Sequence, residues 1–106
     1  MPDRRASNHL VCYDIRDDRR LRRVHRCMRE WGLPLQYSVF YCYLSDRQRQ
    51  QLTWELRGLI DERVDDVRIY SIQCAATIYF QGRKPLPDGM LINNVEFQED
   101  ENGSQV

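Results

Sequence analysis

A chain of 106 residues, 42% hydrophobic and 30% charged, is the length of one domain with a modest core and no internal linker. It has no apolar run near twenty residues and no basic-then-apolar leader, which argues against a membrane-spanning helix or signal peptide and leads us to expect a cytoplasmic protein. Sixteen basic side chains balance sixteen acidic ones, but all the basic ones except Lys84 are arginine, and nine of them crowd the first thirty residues against five acids.

Arginine binds phosphate through two parallel donors, so this skew makes nucleic acid a candidate partner; charged helix faces turned to solvent would produce the same composition. In chain order, His9 to Ile15 alternates with apolar residues on both sides, Leu10 and Cys12 against Val11, Tyr13 and Ile15, as in a strand covered on both faces. Asp17 or Asp18 can cap the helix that follows, in which Leu21, Val24, Met28 and Trp31 recur at helical spacing and Gly32 is placed to end it. Its opposite side is nearly all arginine.

Leu35 to Leu44 is rich in aromatic and β-branched residues and too long for one short strand, so it is read as a bent strand or tight hairpin whose tip is not legible. Ser45 caps a second helix expected over 46–62, with Leu52, Leu56, Leu59 and Ile60 as its buried stripe, and Asp66 to Gln73 returns to strand. Cys74 to Gly89 reads as a loop punctuated by Gly82, Pro85 and Pro87, and "MLINNVEF" as a short final strand able to join a sheet edge. The domain is expected to span 1–97, with an acidic, disordered tail over 98–106. Cys12, Cys27, Cys42 and Cys74 form no Cys-x-x-Cys pair and read as reduced core fillers; His9 and His25 receive no role.

The order βαββαβ folds most simply as an α+β domain: an antiparallel sheet with both helices on one face. The other face holds too many tyrosines to be left in water, so a second sheet is expected against it, most economically from a second copy of the chain.

"YDIRDDRRLRRV" over 13–24, "LQYSVF" over 35–40, "DDVRIY" over 65–70 and the closing "DGMLI" resemble, in order and spacing, the CRISPR-associated Cas2 family, the small partner in spacer acquisition. The resemblance covers residues 9–93. It implies a ferredoxin-like homodimer packed through its sheets, with Tyr13, Tyr37, Phe40 and Tyr41 as interface candidates. It also implies that Asp14, ending the first strand, is a magnesium ligand and catalytic carboxylate shared across the dimer axis. Magnesium wants six oxygens, and a twofold pair of carboxylates supplies more of them than one.

Arg16, Arg19, Arg20, Arg22, Arg23, Arg26 and Arg29 are then the phosphate-contacting candidates. On residues alone Asp14 reads as an acceptor of backbone hydrogen bonds in a turn rather than as a ligand. Ser38, without a triad partner, reads as a small interior residue rather than a nucleophile, and Phe40 as core or interface. Many relatives carry a basic residue where this chain has Leu35, which removes one phosphate contact.

The resemblance therefore implies an adaptor that bridges the Cas1 integrase and holds double-stranded prespacer DNA, with magnesium-dependent endoribonuclease activity beside it. The alternative is a nuclease acting on RNA or DNA as its main activity, including a toxin-like ribonuclease outside CRISPR.

Overall fold

The computed structural model describes residues 6–72, 76–85 and 95–100. Its elements are β1 (Ser7–Asp14), α1 (Asp18–Trp31), β2 (Leu33–Gln36), β3 (Val39–Leu44), α2 (Asp46–Arg57), β4 (Asp66–Ile72), β5 (Ala76–Phe80) and β6 (Val95–Glu99). The first six build a four-stranded sheet in the order β2-β3-β1-β4, with every neighbouring pair antiparallel. This is the expected ferredoxin-like arrangement, in which β3 enters between β1 and β2. The hairpin tip that the sequence left open is the two-residue turn Tyr37-Ser38, and Ser38 lends its carbonyl to the Tyr13 amide at 3.1 Å.

Both helices begin on side-chain caps. Asp17 accepts the Arg20 amide at 2.9 Å, while Ser45 and Gln48 close a reciprocal capping box at 3.1 and 2.9 Å. At the end of α1 the chain passes so close to β3 that a Cβ on Gly32 would overlap the Tyr41 carbonyl oxygen and lie 2.6 Å from the Cys42 sulfur. Only glycine fits that approach.

Helix α2 stops at Arg57, five residues short of the expected end. Leu59 and Ile60 still pack on the core, but the amide of Asp61 donates to the Asp65 side chain at 2.8 Å, so the backbone leaves the helix there. Asp65 is the centre of this end of the molecule. Its side chain has no exposed surface and also accepts the Arg16 amide at 2.8 Å and Arg20 Nε and Nη2 at 2.7 and 3.1 Å. The Arg20 guanidinium above all, then the two backbone amides, hold its carboxyl far below the usual range.

One sheet face packs on the helices, with Val11, Tyr13, Ile15, Phe40, Cys42 and Leu44 meeting Val24, Met28, Leu52 and Leu56. Burial pushes the Cys42 thiol up to about 12, as expected of a core filler, and among the described residues Cys12, Cys27 and Cys42 are free; Cys74 lies outside them. Two assignments are corrected here. Phe40 is fully buried and Tyr13 is 5% exposed in this helix-side core, so neither is available to a dimer interface. The alternation of β1 and β3 turns them inward, and Tyr41 outward.

The C-terminal segment also differs from its reading as a loop and one strand. Residues 76–80 form β5, which pairs in parallel with β6. Glu99 ends β6, two residues past the expected domain boundary, and 101–106, like 86–94, lie outside the described residues. This two-stranded ribbon covers part of the helix-free face through Ile78, Val95 and Phe97 against Leu10, Leu33, Leu35 and Tyr41. Part of the cover expected from a second copy is thus supplied by the chain itself.

Two stability effects follow. Asp65→Asn is expected to cost about 3 kcal/mol at neutral pH, because it removes the counter-charge of the half-buried Arg20 guanidinium and sets an NH2 donor where one oxygen now accepts. Since folding lowers the Asp65 pKa, its contribution is complete above the ordinary carboxylate value of 3.8 and is lost as pH falls from there through the depressed folded-state value; the gap between the urea midpoints of wild type and variant should narrow steadily as pH is lowered below 3.8. Gly32→Ala, with no room for the added methyl, is expected to lower the unfolding free energy measured in urea by about 2 kcal/mol.

Candidate nucleic-acid interface and metal-ligating carboxylate

Helix α1 carries Arg19, Arg22, Arg26 and Arg29 at three- and four-residue steps, on the side opposite the buried Val24 and Met28. With Arg23 beside them, these side chains are exposed, and among the described residues none of the five is held in an ion pair. Unpaired guanidiniums projecting from one rigid helix form a comb of bidentate donors suited to phosphate.

Arg20 does not belong to the comb. It points sideways from the helix start into Asp65, so its assignment as a phosphate contact is corrected to a structural ion pair. The sequence offered a signal for this partner, since Asp65 opens the quoted "DDVRIY", but no local pattern shows that a residue forty-five positions away would claim Arg20.

Asp14 closes β1 on the helix-free side of the sheet, one residue beyond the inward-facing Tyr13. Its side chain is 65% exposed, and its one ion pair among the described residues is a loose one, 3.8 Å from Arg16 Nη2. Its exposure leaves the carboxylate open to solvent. Directly across the β1/β4 ladder stands Asp66, itself bound by Arg68 at 3.1 Å. The sequence could not disclose this pairing without the register. Like charges facing each other on adjacent strands repel, and Arg16 and Arg68 offset that repulsion from either side.

Among the described residues no three His, Cys, Asp or Glu side chains converge as a closed metal site requires. Asp14 from one chain offers hard oxygen donors of the type magnesium takes, but only a fraction of six.

Of the remaining predicted residues, Tyr41 is 8% exposed under the ribbon and donates its hydroxyl to Asn8 at 2.5 Å. Tyr37 is 54% exposed at the hairpin tip. His25, given no role by the sequence, stacks on the Tyr37 ring with centroids 4.3 Å apart and meets the Phe40 ring edge-on at 5.4 Å. Its Nδ1 lies 3.2 Å from the Tyr13 hydroxyl, which donates to the Tyr37 carbonyl at 2.8 Å. Burial first, and the neighbouring Tyr37 second, push the Tyr13 phenol well up, so it is a neutral donor fixing the hairpin tip. No described helix is long and apolar enough to cross a membrane.

Comparison with known proteins places this geometry. Residues 8–76 match the family described as CRISPR associated protein Cas2. The chain is 45% identical over 83 residues to a CRISPR-associated endoribonuclease Cas2 of Thermodesulfovibrio yellowstonii, covering 77% of this chain and 91% of that protein. It is 40% identical over 84 residues to another of Nitrosomonas europaea, covering 79% and 80%. A hypothetical protein of Thermus thermophilus superposes with a TM-score of 0.70 at 34% identity, over 78% of this chain and 99% of that one. Streptococcus pyogenes Cas2 superposes with a TM-score of 0.56 at 31% identity, over 59% and 82%. With the matched segment running from β1 through β4 and carrying both Asp14 and the arginine comb, the chain belongs to the CRISPR-associated Cas2 family.

Proposed function

We propose that the chain acts in CRISPR spacer acquisition as a homodimer that lies along duplex prespacer DNA and bridges the Cas1 integrase. The observation that carries this reading is the arginine comb of α1, five exposed guanidiniums without ion-pair partners among the described residues. Such a surface tracks phosphates regardless of base sequence, which is what a protein that must accept any captured duplex requires. The dimer is supported by the uncovered part of the helix-free face, where Tyr43 and Tyr70 remain 49% and 50% exposed.

The second activity is metal-dependent endoribonuclease chemistry at Asp14, favoured by the exposure of that carboxylate and by the names of the relatives from Thermodesulfovibrio yellowstonii and Nitrosomonas europaea. Asp14 of each copy would hold a magnesium ion near the twofold axis, with water completing its shell. When bound, that ion supplies Lewis-acid shielding of the scissile phosphate and a water of lowered proton affinity. Arg16 stands beside Asp14 to orient the phosphate, whereas Arg20 is committed elsewhere. Bridging needs the dimer and the comb but not Asp14, so the two activities are separable.

The comb is tested by Arg22→Ala combined with Arg29→Ala. Binding of unrelated duplexes should weaken alike, and the slope of log affinity against log salt should fall by about two units, one per contact; an unchanged slope would show that these arginines face only water. The carboxylate is tested by Asp14→Asn. Its exposure predicts a stability change within about 0.5 kcal/mol. Metal-dependent cleavage of RNA should disappear while duplex affinity and Cas1-dependent integration persist. Cleavage surviving in the variant would remove Asp14 from the chemistry, and loss of integration with the dimer intact would refute the separation of roles.

A further inference from the structure

Between α1 and α2 lies an open groove of about 640 Å³, large enough for a ligand of nucleotide size. From α1 it is lined by Arg23, Arg26, Cys27 and Glu30, which share one helix face by their spacing, and from α2 by Trp54, Glu55 and Arg57. Leu52 and Leu56 anchor α2 to the core, and Trp54, midway between them in sequence, is thrown outward. It is 74% exposed, the most open of the large hydrophobic side chains among the described residues.

The other tryptophan is accounted for, since Trp31 donates its Nε1 to Glu55 at 3.1 Å. Gln51 reaches the same carboxylate at 3.3 Å, so the acid nearest Trp54 is already engaged. Arg57 has an exposed partner in Glu62 at 3.4 Å, leaving Arg23 and Arg26 as the cations of the groove that are unpaired among the described residues. An open indole face flanked by guanidiniums fits an unpaired base stacked on the ring with its phosphates on the arginines.

We infer that the α1/α2 groove is a binding site for an unpaired nucleotide, with Trp54 as the stacking platform and Arg23 and Arg26 as its phosphate clamp. The inference rests on the duplex-binding reading above and is continuous with it, because Arg26 belongs to both the comb and the groove rim. A nucleic acid laid along α1 that carries a single-stranded extension would turn that extension onto Trp54.

The test compares affinity for a blunt duplex with affinity for the same duplex carrying a single-stranded extension. Wild type should prefer the extended form. Trp54→Leu should remove roughly tenfold of affinity for the extended form, leave the blunt form unchanged, and leave the melting temperature unchanged. Trp54→Phe should retain most of the preference. Arg23→Ala with Arg26→Ala should weaken both forms and lower the salt slope.

Equal losses on both forms in Trp54→Leu, or no loss on the extended one, would overturn the groove assignment while leaving the comb intact. Salt-independent or absent binding of the blunt duplex by wild type would instead overturn the comb. Loss of Cas1 association in Trp54→Leu with both affinities unchanged would assign the groove to a protein and likewise overturn the proposal.

Discussion

One buried carboxylate organises the end of the molecule where the candidate chemistry sits. Asp65 accepts from the amides of Arg16 and Asp61 and from two nitrogens of Arg20, and so joins the turn between β1 and α1 to the turn between α2 and β4. A charge removed from water is tolerable only when donors replace the water, and here four do. The same bonds fix where β1 ends and α1 begins. Asp14 and the first arginine of the comb lie on either side of that fixed point, so their separation is set by a group that has neither role.

Parity along β1 and β3 divides the labour between the two sheet faces. Tyr13 and Phe40 turn toward the helices, whereas Asp14 and Tyr41 turn away, a separation of one residue in each strand. The carboxylate therefore opens onto the face where a second copy can approach, and the aromatic pair that resembles interface material serves as core. A carboxylate at a strand end with an opposing acid across the ladder is held by charge balance rather than by packing.

Local rules made much of the fold legible. The Asp17 cap, the Ser45-Gln48 box, the α1 stripe and the alternation in β1 are all short-range patterns, and the structure follows them. What was not legible depended on distant partners: the diversion of Arg20 by Asp65, the early end of α2, the Asp66 opposite Asp14, and a parallel β5/β6 pair whose strands are fifteen residues apart in sequence. The reading of Asp14 as a ligand rests on its motif rather than on any periodicity. Trp54 was passed over because an aromatic off the buried stripe looks, on sequence, like an ordinary surface residue.

Gly32 gives α1 a further property. With the helix end pressed against the Tyr41 carbonyl and its start held at Asp65, α1 is fastened at both ends and behaves as a ruler. Arg19 to Arg29 spans about 15 Å of helix axis, which corresponds to roughly four phosphate steps of one strand along a duplex. A rod held at both ends keeps its cations at constant separations, so α1 presents a set spacing of charge rather than an adjustable one.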